Sequence, residues 1–356
     1  MLAWEGGAGR GHVVTLARVA RALSGLAPCD AALGWMTHAG EIAPWCEGVF
    51  PGVRLPYDRA GRAARKAPPS ASWAEWLLDC GFGDGAKMAR RVSWWLDTLG
   101  RRQIGLLIGD YAPCALMAAR IAGIPALAIG TGYGIPPAGL KSFPIFLPEY
   151  AAREADEAML TATLNAALGP LGLPELAHLP DVYARSGEIV RSFEMLDPYR
   201  GMRSAPYLPP VANYSGITAG TGTEVFCYFS TTELAQPGLV EALERCGLPL
   251  RGYLPGACPE IINRLAAAGM RIEPAPLSAD EIARCAEQAG VARVIWPRSA
   301  PADKICDFLR STYDDSAMQL RARGLAETLL PHFTRDDETL LREAIVPFLS
   351  NSCCHP

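Results

Sequence analysis

The stretch Leu2-Ala3-Trp4-Glu5-Gly6-Gly7-Ala8-Gly9-Arg10-Gly11-His12 decides the fold of this chain. Leu2 to Trp4 read as a brief strand, and Gly6 to Gly11 as a glycine-rich turn. From Val13 to Leu26 the apolar residues at 13, 16, 19, 20 and 23 fall on one face of a helix. Ala31 to Met36 is a second candidate strand. Strand, glycine loop, helix and strand make a βαβ unit, which requires a parallel sheet. The same phasing returns further on. The apolar run Ile104 to Ile108, of the kind buried on both faces, ends at Gly109-Asp110. A small-residue helix over 112–122, a strand over 124–129 and the loop Gly130-Thr-Gly-Tyr-Gly134 complete the second unit.

Outward from these units, 356 residues suggest two domains. Half the residues are hydrophobic and a fifth are charged, so a packed core is expected and disorder is not. The net charge of -4 argues against a nucleic-acid partner. No apolar run is long enough to span a membrane, and the opening residues are too few and too rich in glycine for a signal peptide. Eleven scattered cysteines without a CxxC pair point to reduced thiols and a cytoplasmic setting rather than a disulfide framework or zinc site. Cys353-Cys354-His355 reads as a frayed tail. Nothing in the residues fixes an oligomeric state.

Residues 59–103 read as helical and are rich in tryptophan, as packing on the sheet or as an apolar acceptor pocket lined by Trp73, Trp76 and, from the 130–134 loop, Tyr133. Residues 146–178 also read as helical. The prolines and glycines of 197–223 mark a linker, set at 206–222. It divides an N-terminal α/β domain over 1–205 from a second over 223–356. The second opens with the strand Glu224 to Phe229 and the hydroxyls Ser230, Thr231 and Thr232, which suit a diphosphate or a helix N-cap.

Ligands of open α/β sheets sit outside the carboxyl ends of the strands. His12 and Asp110 both fall at such ends. If their strands are neighbours, the carboxylate can hold one imidazole nitrogen while the other takes a proton from a hydroxyl. The bland reading is a histidine that caps its helix. Gly9 and Gly11 let backbone N–H groups approach an anion at the helix N-terminus. The dinucleotide pattern GxGxxG is not met, because His12 stands at its third glycine, and Asp30 precedes the second strand rather than ending it.

Gly9-Arg-Gly-His12-Val13 followed by Leu16 to Leu23 resembles the first loop and helix of nucleotide-sugar-dependent glycosyltransferases of the GT-B fold. The likeness is to the bacterial antibiotic and macrolide enzymes and the UDP-glucuronosyltransferases. Gly109-Asp-Tyr-Ala-Pro113 with Ala118 to Pro125 resembles their second signature, and Glu224 to Thr232 with Gly252 to Gly256 the opening of their donor domain. The resemblance implies an α/β fold of two Rossmann-like parallel-sheet domains facing a cleft. It implies an inverting hexosyl transfer, from a UDP- or dTDP-sugar to a hydroxyl of a small lipophilic acceptor. In that scheme His12 is the base and Asp110 orients it. Gly9, Gly11, Ser230, Thr231 and Thr232 serve the donor. The nucleotide-sugar is a co-substrate, and neither cofactor nor metal is required.

One departure stands out. The family's His-Gly-Gly motif, and the acidic residue and glutamine that follow it, are absent. Leu277 to Gly290 resembles the helix before the motif and runs straight into Val291 to Pro297, which resembles a strand well after it, so the second domain is expected to be shortened by about a helix and a strand. Losing two or three charge-assisted hydrogen bonds of ~1.5–3 kcal/mol each would weaken donor binding by orders of magnitude. The rival expectation is therefore a degenerate, non-catalytic binding protein on the same scaffold; an epimerase of related fold would need further acidic catalytic residues. The final helix, 336–349, is expected to pack back on the first domain.

Overall fold

The computed structural model describes residues 1–7, 9–56, 72–145, 155–194, 197–210, 224–229, 233–254, 257–273, 300–333 and 335–350. They form two compact units, Met1–Pro210 with Asp336–Pro356, and Val211–Arg335.

The first unit is a parallel sheet of seven strands. They are β1 (Leu2–Trp4), β2 (Asp30–Leu33), β3 (Gly48–Pro51), β4 (Leu107–Asp110), β5 (Ala126–Gly130), β6 (Gly187–Arg191) and β7 (Tyr207–Leu208), in the order β3-β2-β1-β4-β5-β6-β7. Side chains alternate across the pleat and build a core on each face. Leu2, Trp4, Ala31, Leu33, Ile108, Leu127 and Ile129 face one layer, which contains the buried residues of α1 (Arg10–Leu23) and the final helix. Ala3, Ala32, Leu107, Ala126 and Ala128 face the other, with α2 (Trp73–Asp79), α3 (Gly85–Arg101), α4 (Pro113–Ile121) and α5 (Glu157–Leu168). The second unit holds the parallel strands β8 (Val225–Tyr228), β9 (Leu250–Tyr253) and β10 (Arg271–Ile272) in the order β10-β9-β8. With them are helices α6 (Pro237–Arg245), α7 (Pro259–Ala267), α8 (Ala302–Tyr313) and α9 (Ser316–Leu329). No helix among the described residues is long and apolar enough to cross a membrane.

Several boundaries differ from the sequence reading. Helix α1 starts at Arg10, so Gly9 is its N-cap and His12 lies in its first turn rather than closing a loop. Strand β4 begins at Leu107, because the chain leaves α3 through Gln103 in a left-handed conformation (φ 50°) and spends Ile104 to Leu106 on the approach. Tyr207 and Leu208, assigned to the linker, pair in parallel with Val190 and Arg191 and extend the first sheet. The final helix α10 (Asp337–Ser350), numbered with the second domain but expected to pack on the first, belongs to the first unit, where Leu341 and Ile345 join the α1 core. Residues 57–71, 146–154, 211–223 and 274–299, which carry parts of the tryptophan-rich and 146–178 helical segments, most of the linker and the departure from the family pattern, lie outside the described residues.

One carboxylate ties α10 down. Asp337, 1% exposed, is 2.5 Å from Arg191 of β6 and 3.0 Å from Arg18 of α1. Removing one partner of a buried pair strands the other charge, at a cost of about 3 kcal/mol or more. Asp337→Ala is therefore expected to lower the urea midpoint of the first unit. All tryptophans but Trp296 belong to that unit, so their fluorescence reads its unfolding. An unchanged midpoint would show that the contact contributes nothing.

Candidate active site

Strand order creates the site. The chain runs outward from β1 through β2 to β3, then returns to lay β4 on the other side of β1, a topological switch point of the kind where α/β proteins bind ligands. The register pairs Trp4 with Asp110, so the carboxyl ends of β1 and β4 lie side by side. His12, on the first turn of α1 after β1, places Nδ1 3.0 Å from Asp110 Oδ2. Asp110 is 2% exposed, and its Oδ1 has no hydrogen-bond partner among the described residues. The His12 side chain keeps 17% of its surface open.

Two aromatic rings fix the imidazole. Trp4 stacks on it with centroids 5.3 Å apart and planes inclined by 23°, and Tyr111 meets it edge-on at 4.9 Å. Trp4 Nε1 also donates to Gly6 O at 2.6 Å, which ties the glycine turn to the same indole. Tyr111 adopts φ 50°, a left-handed conformation that costs a residue with a Cβ of order 1 kcal/mol or more. It is held there by Gly6 N–H donating to its carbonyl at 3.0 Å, and by Gly134, where any side chain would collide with the phenol ring. Burial raises the Tyr111 phenol well above its ordinary pKa, so the ring stays neutral.

Glu5, wholly buried behind β1, is a site-supporting residue the sequence reading missed. It accepts hydrogen bonds from Trp95 Nε1 and from the backbone N–H groups of Cys114 (2.9 Å) and Ala115 (3.0 Å). These are free N–H groups of the first turn of α4, whose N-cap Ala112 offers no side-chain acceptor, so Glu5 caps the helix that follows Asp110 from outside it. Burial pushes its carboxyl up to about 7, against the pull of those N–H donors. A charged residue ending an otherwise apolar strand was the available signal.

The 132–134 turn is pinned by Arg203, whose guanidinium donates to the carbonyls of Gly132 (3.2 Å) and Ile135 (2.7 Å). The same group pairs with Asp197 at 2.7 Å and Glu188 at 3.0 Å. Burial works to raise the Asp197 carboxyl, but hydrogen bonds, led by that from Arg203, outweigh it and hold the group below its ordinary value. Tyr207 Oη on β7 adds a hydrogen bond to Asp197 at 2.8 Å.

The residues singled out from sequence separate clearly. His12 and Asp110 meet. Gly9 and Gly11 lie exposed at the start of α1. Tyr133, 38% exposed, and the half-buried Trp76 border the site through Trp73 and Tyr111. Trp73 itself is 1% exposed and presents no surface to a ligand. Its ring is enclosed by Trp76, Tyr111, Tyr133 and Tyr183, and its Nε1 donates to Tyr133 O at 2.6 Å, so it supports the wall from behind. Trp95 is likewise core. Ser230, Thr231 and Thr232 lie outside the described residues. A cavity of about 250 Å³, bordered by Met1, Cys29, Asp30, Arg102 and Leu106, lies at the opposite, amino edge of the sheet and contains none of these groups.

No known protein family matches the sequence, and no curated protein is similar to it in sequence. Solved structures share its fold end to end. The calicheamicin glycosyltransferase is 14% identical, with a TM-score of 0.56 and coverage of 98% of each chain. A UDP-glucosyltransferase from Polygonum tinctorium, capable of glucosylating indoxyl, is 12% identical, with a TM-score of 0.55 over 98% of each chain. The glycosyltransferase VinC, in complex with dTDP, is 13% identical, with a TM-score of 0.54 over 99% of this chain and 100% of that one. The architecture is that of the GT-B fold.

The buried Glu5 makes stability depend on pH with a definite sign. Its folded pKa lies above the ordinary 4.5, so between about 4.5 and 7 the unfolded chain releases a proton that the folded chain keeps. Stability is thus expected to fall with rising pH across that window, by about 3 kcal/mol from this group. Glu5→Gln cannot ionise, so its stability measured against the parent's should rise by that amount from pH 4.5 to 7.5, on top of a constant loss from one mismatched N–H. Urea midpoints at three pH values measure the difference, and parallel profiles would refute the assignment.

Proposed function

We propose that this chain of GT-B fold is an inverting glycosyltransferase, moving a sugar from a nucleoside diphosphate to a hydroxyl on a small lipophilic acceptor. The observation that carries the reading is the 3.0 Å approach of His12 Nδ1 to the buried Asp110 carboxylate at the switch point. A proton held on Nδ1 leaves the Nε2 lone pair to remove the acceptor's hydroxyl proton. The acceptor oxygen forms its bond to the anomeric carbon as the bond from that carbon to the diphosphate breaks, and the electron pair departs with the nucleotide. Asp110, whose other oxygen has no partner among the described residues, directs its charge at the imidazolium that forms. The Trp4 face adds a cation–π contribution. Trp76 and Tyr133 offer the acceptor an apolar wall.

VinC was solved with dTDP and the Polygonum enzyme is a UDP-glucosyltransferase, which favours a pyrimidine nucleotide. Gly9 and Gly11 at the α1 N-terminus, with Ser230, Thr231 and Thr232, are the groups proposed to meet the diphosphate. Helix dipole and backbone donors take its charge, so no metal is invoked. A cytoplasmic setting, a small-molecule acceptor and the absence of a nucleic-acid partner belong to the same proposal.

The reading is tested by incubating the protein with UDP- or dTDP-sugars and hydroxylated aromatic acceptors. Transfer with inverted anomeric configuration is expected, falling by ~10²–10⁴ in His12→Ala and substantially in Asp110→Asn, which leaves the tautomer unenforced. Addition of EDTA should leave the rate unchanged. The second reading, a non-catalytic binder, is favoured by the missing His-Gly-Gly motif. It predicts no transfer, and no heat of donor binding at millimolar nucleotide.

A further inference from the structure

We propose that Gly7 is the position that opens His12 to substrate, and that the acceptor hydroxyl reaches Nε2 over the bare backbone of that residue. The proposal rests on the transferase reading for the identity of the substrate, but its geometry stands on the site alone. Three contacts on the imidazole are taken, a ring face by Trp4, a second contact at a steep angle by the Tyr111 ring, and Nδ1 by Asp110. Nε2 lies against Gly7. A Cβ built there would fall 2.6 Å from Nε2, 3.1 Å from Cε1 and 3.4 Å from Tyr111 Cδ1. The first of these is closer than unbonded nitrogen and carbon approach, so the imidazole would have to shift from its place between Asp110 and the Trp4 ring. At the adjoining Gly6, a Cβ would fall 2.6 Å from the Trp76 ring. The two absent side chains thus bring a proton-accepting nitrogen and an indole edge to one short turn, a pairing suited to a hydroxyl carried on a flat apolar skeleton.

Gly7 has φ +79°, so any replacement also bears backbone strain. Gly25, at φ +78° with nothing within 4 Å of its would-be Cβ, supplies the matched control. The test measures carbethoxylation of His12 by diethylpyrocarbonate, followed by peptide mass spectrometry, with the other histidines as internal references. Gly7→Ala is expected to slow the His12 reaction about tenfold or more, and Gly25→Ala to leave it at the parental rate. Gly7→Asn, a residue that tolerates left-handed backbone, repeats the block if the alanine variant does not fold. In the transfer assay Gly7→Ala should lower kcat by about 10²-fold with the donor KM unchanged. Parental reactivity of His12 in both folded Gly7 variants would overturn the proposal. Slowed modification in a protein that shows no transfer at all would uphold the access role of Gly7 and refute the transferase reading.

Discussion

The site depends on one topological constraint, that β4 is laid beside β1 rather than beside β3. Helix α1 carries the chain from β1 to β2, and helices α2 and α3 come between β3 and β4 in the chain, yet the parallel register sets Trp4 against Asp110. From that pairing follows everything polar at the site. A histidine on the first turn after β1 and an aspartate on the last residue of β4 have no choice but to face each other, and the aspartate, buried on a central strand, cannot turn to water.

Around that pair the fold spends polar groups on rigidity. Glu5 caps α4 from an adjacent strand and reaches Trp95 of α3, so the strand ending in Trp4, the helix following Asp110 and the helix layer behind them are joined through one carboxyl. Arg203 plays the same part for the 132–134 turn, binding two of its carbonyls while Asp197 and Glu188 balance its charge. Tyr111 is locked into a conformation it would not choose. Strain of this kind persists only where the surroundings over-determine it, here Gly6 through a hydrogen bond and Gly134 through the space it leaves.

How much of this was legible followed the range of the interaction concerned. The βαβ phasing of residues 2–36 and 104–130 is a local pattern, and it gave the parallel sheet and put His12 and Asp110 at strand ends. Whether those ends were neighbours is a question of strand order, which periodicity does not encode; the likeness of the glycine loop to a known family supplied it. The shift of β4 to Leu107–Asp110 came from Gln103, a residue without the usual credentials for left-handed backbone. Trp73 and Trp76 stand one helical turn apart in sequence and look alike, but the capping box between Ser72 and Glu75 sets the helix so that the first faces inward and the second the rim. Glu5 was hidden among glycines whose conformational freedom drew the eye. Tyr207 and Leu208 lie in a proline-rich run that reads as linker, although an edge strand needs only a pair of residues and tolerates nearby prolines.

Two buried carboxyl groups weigh on the stability of the first unit. A carboxylate with one oxygen unpartnered among the described residues and a second carboxyl pushed up to about 7 both oppose folding. Glu5 recovers part of that cost by capping α4. Asp110 recovers it through His12, whose Nδ1 lies 3.0 Å from its Oδ2. The departure from the glycosyltransferase pattern falls in the second unit by sequence position, while the His12–Asp110 pair lies wholly in the first.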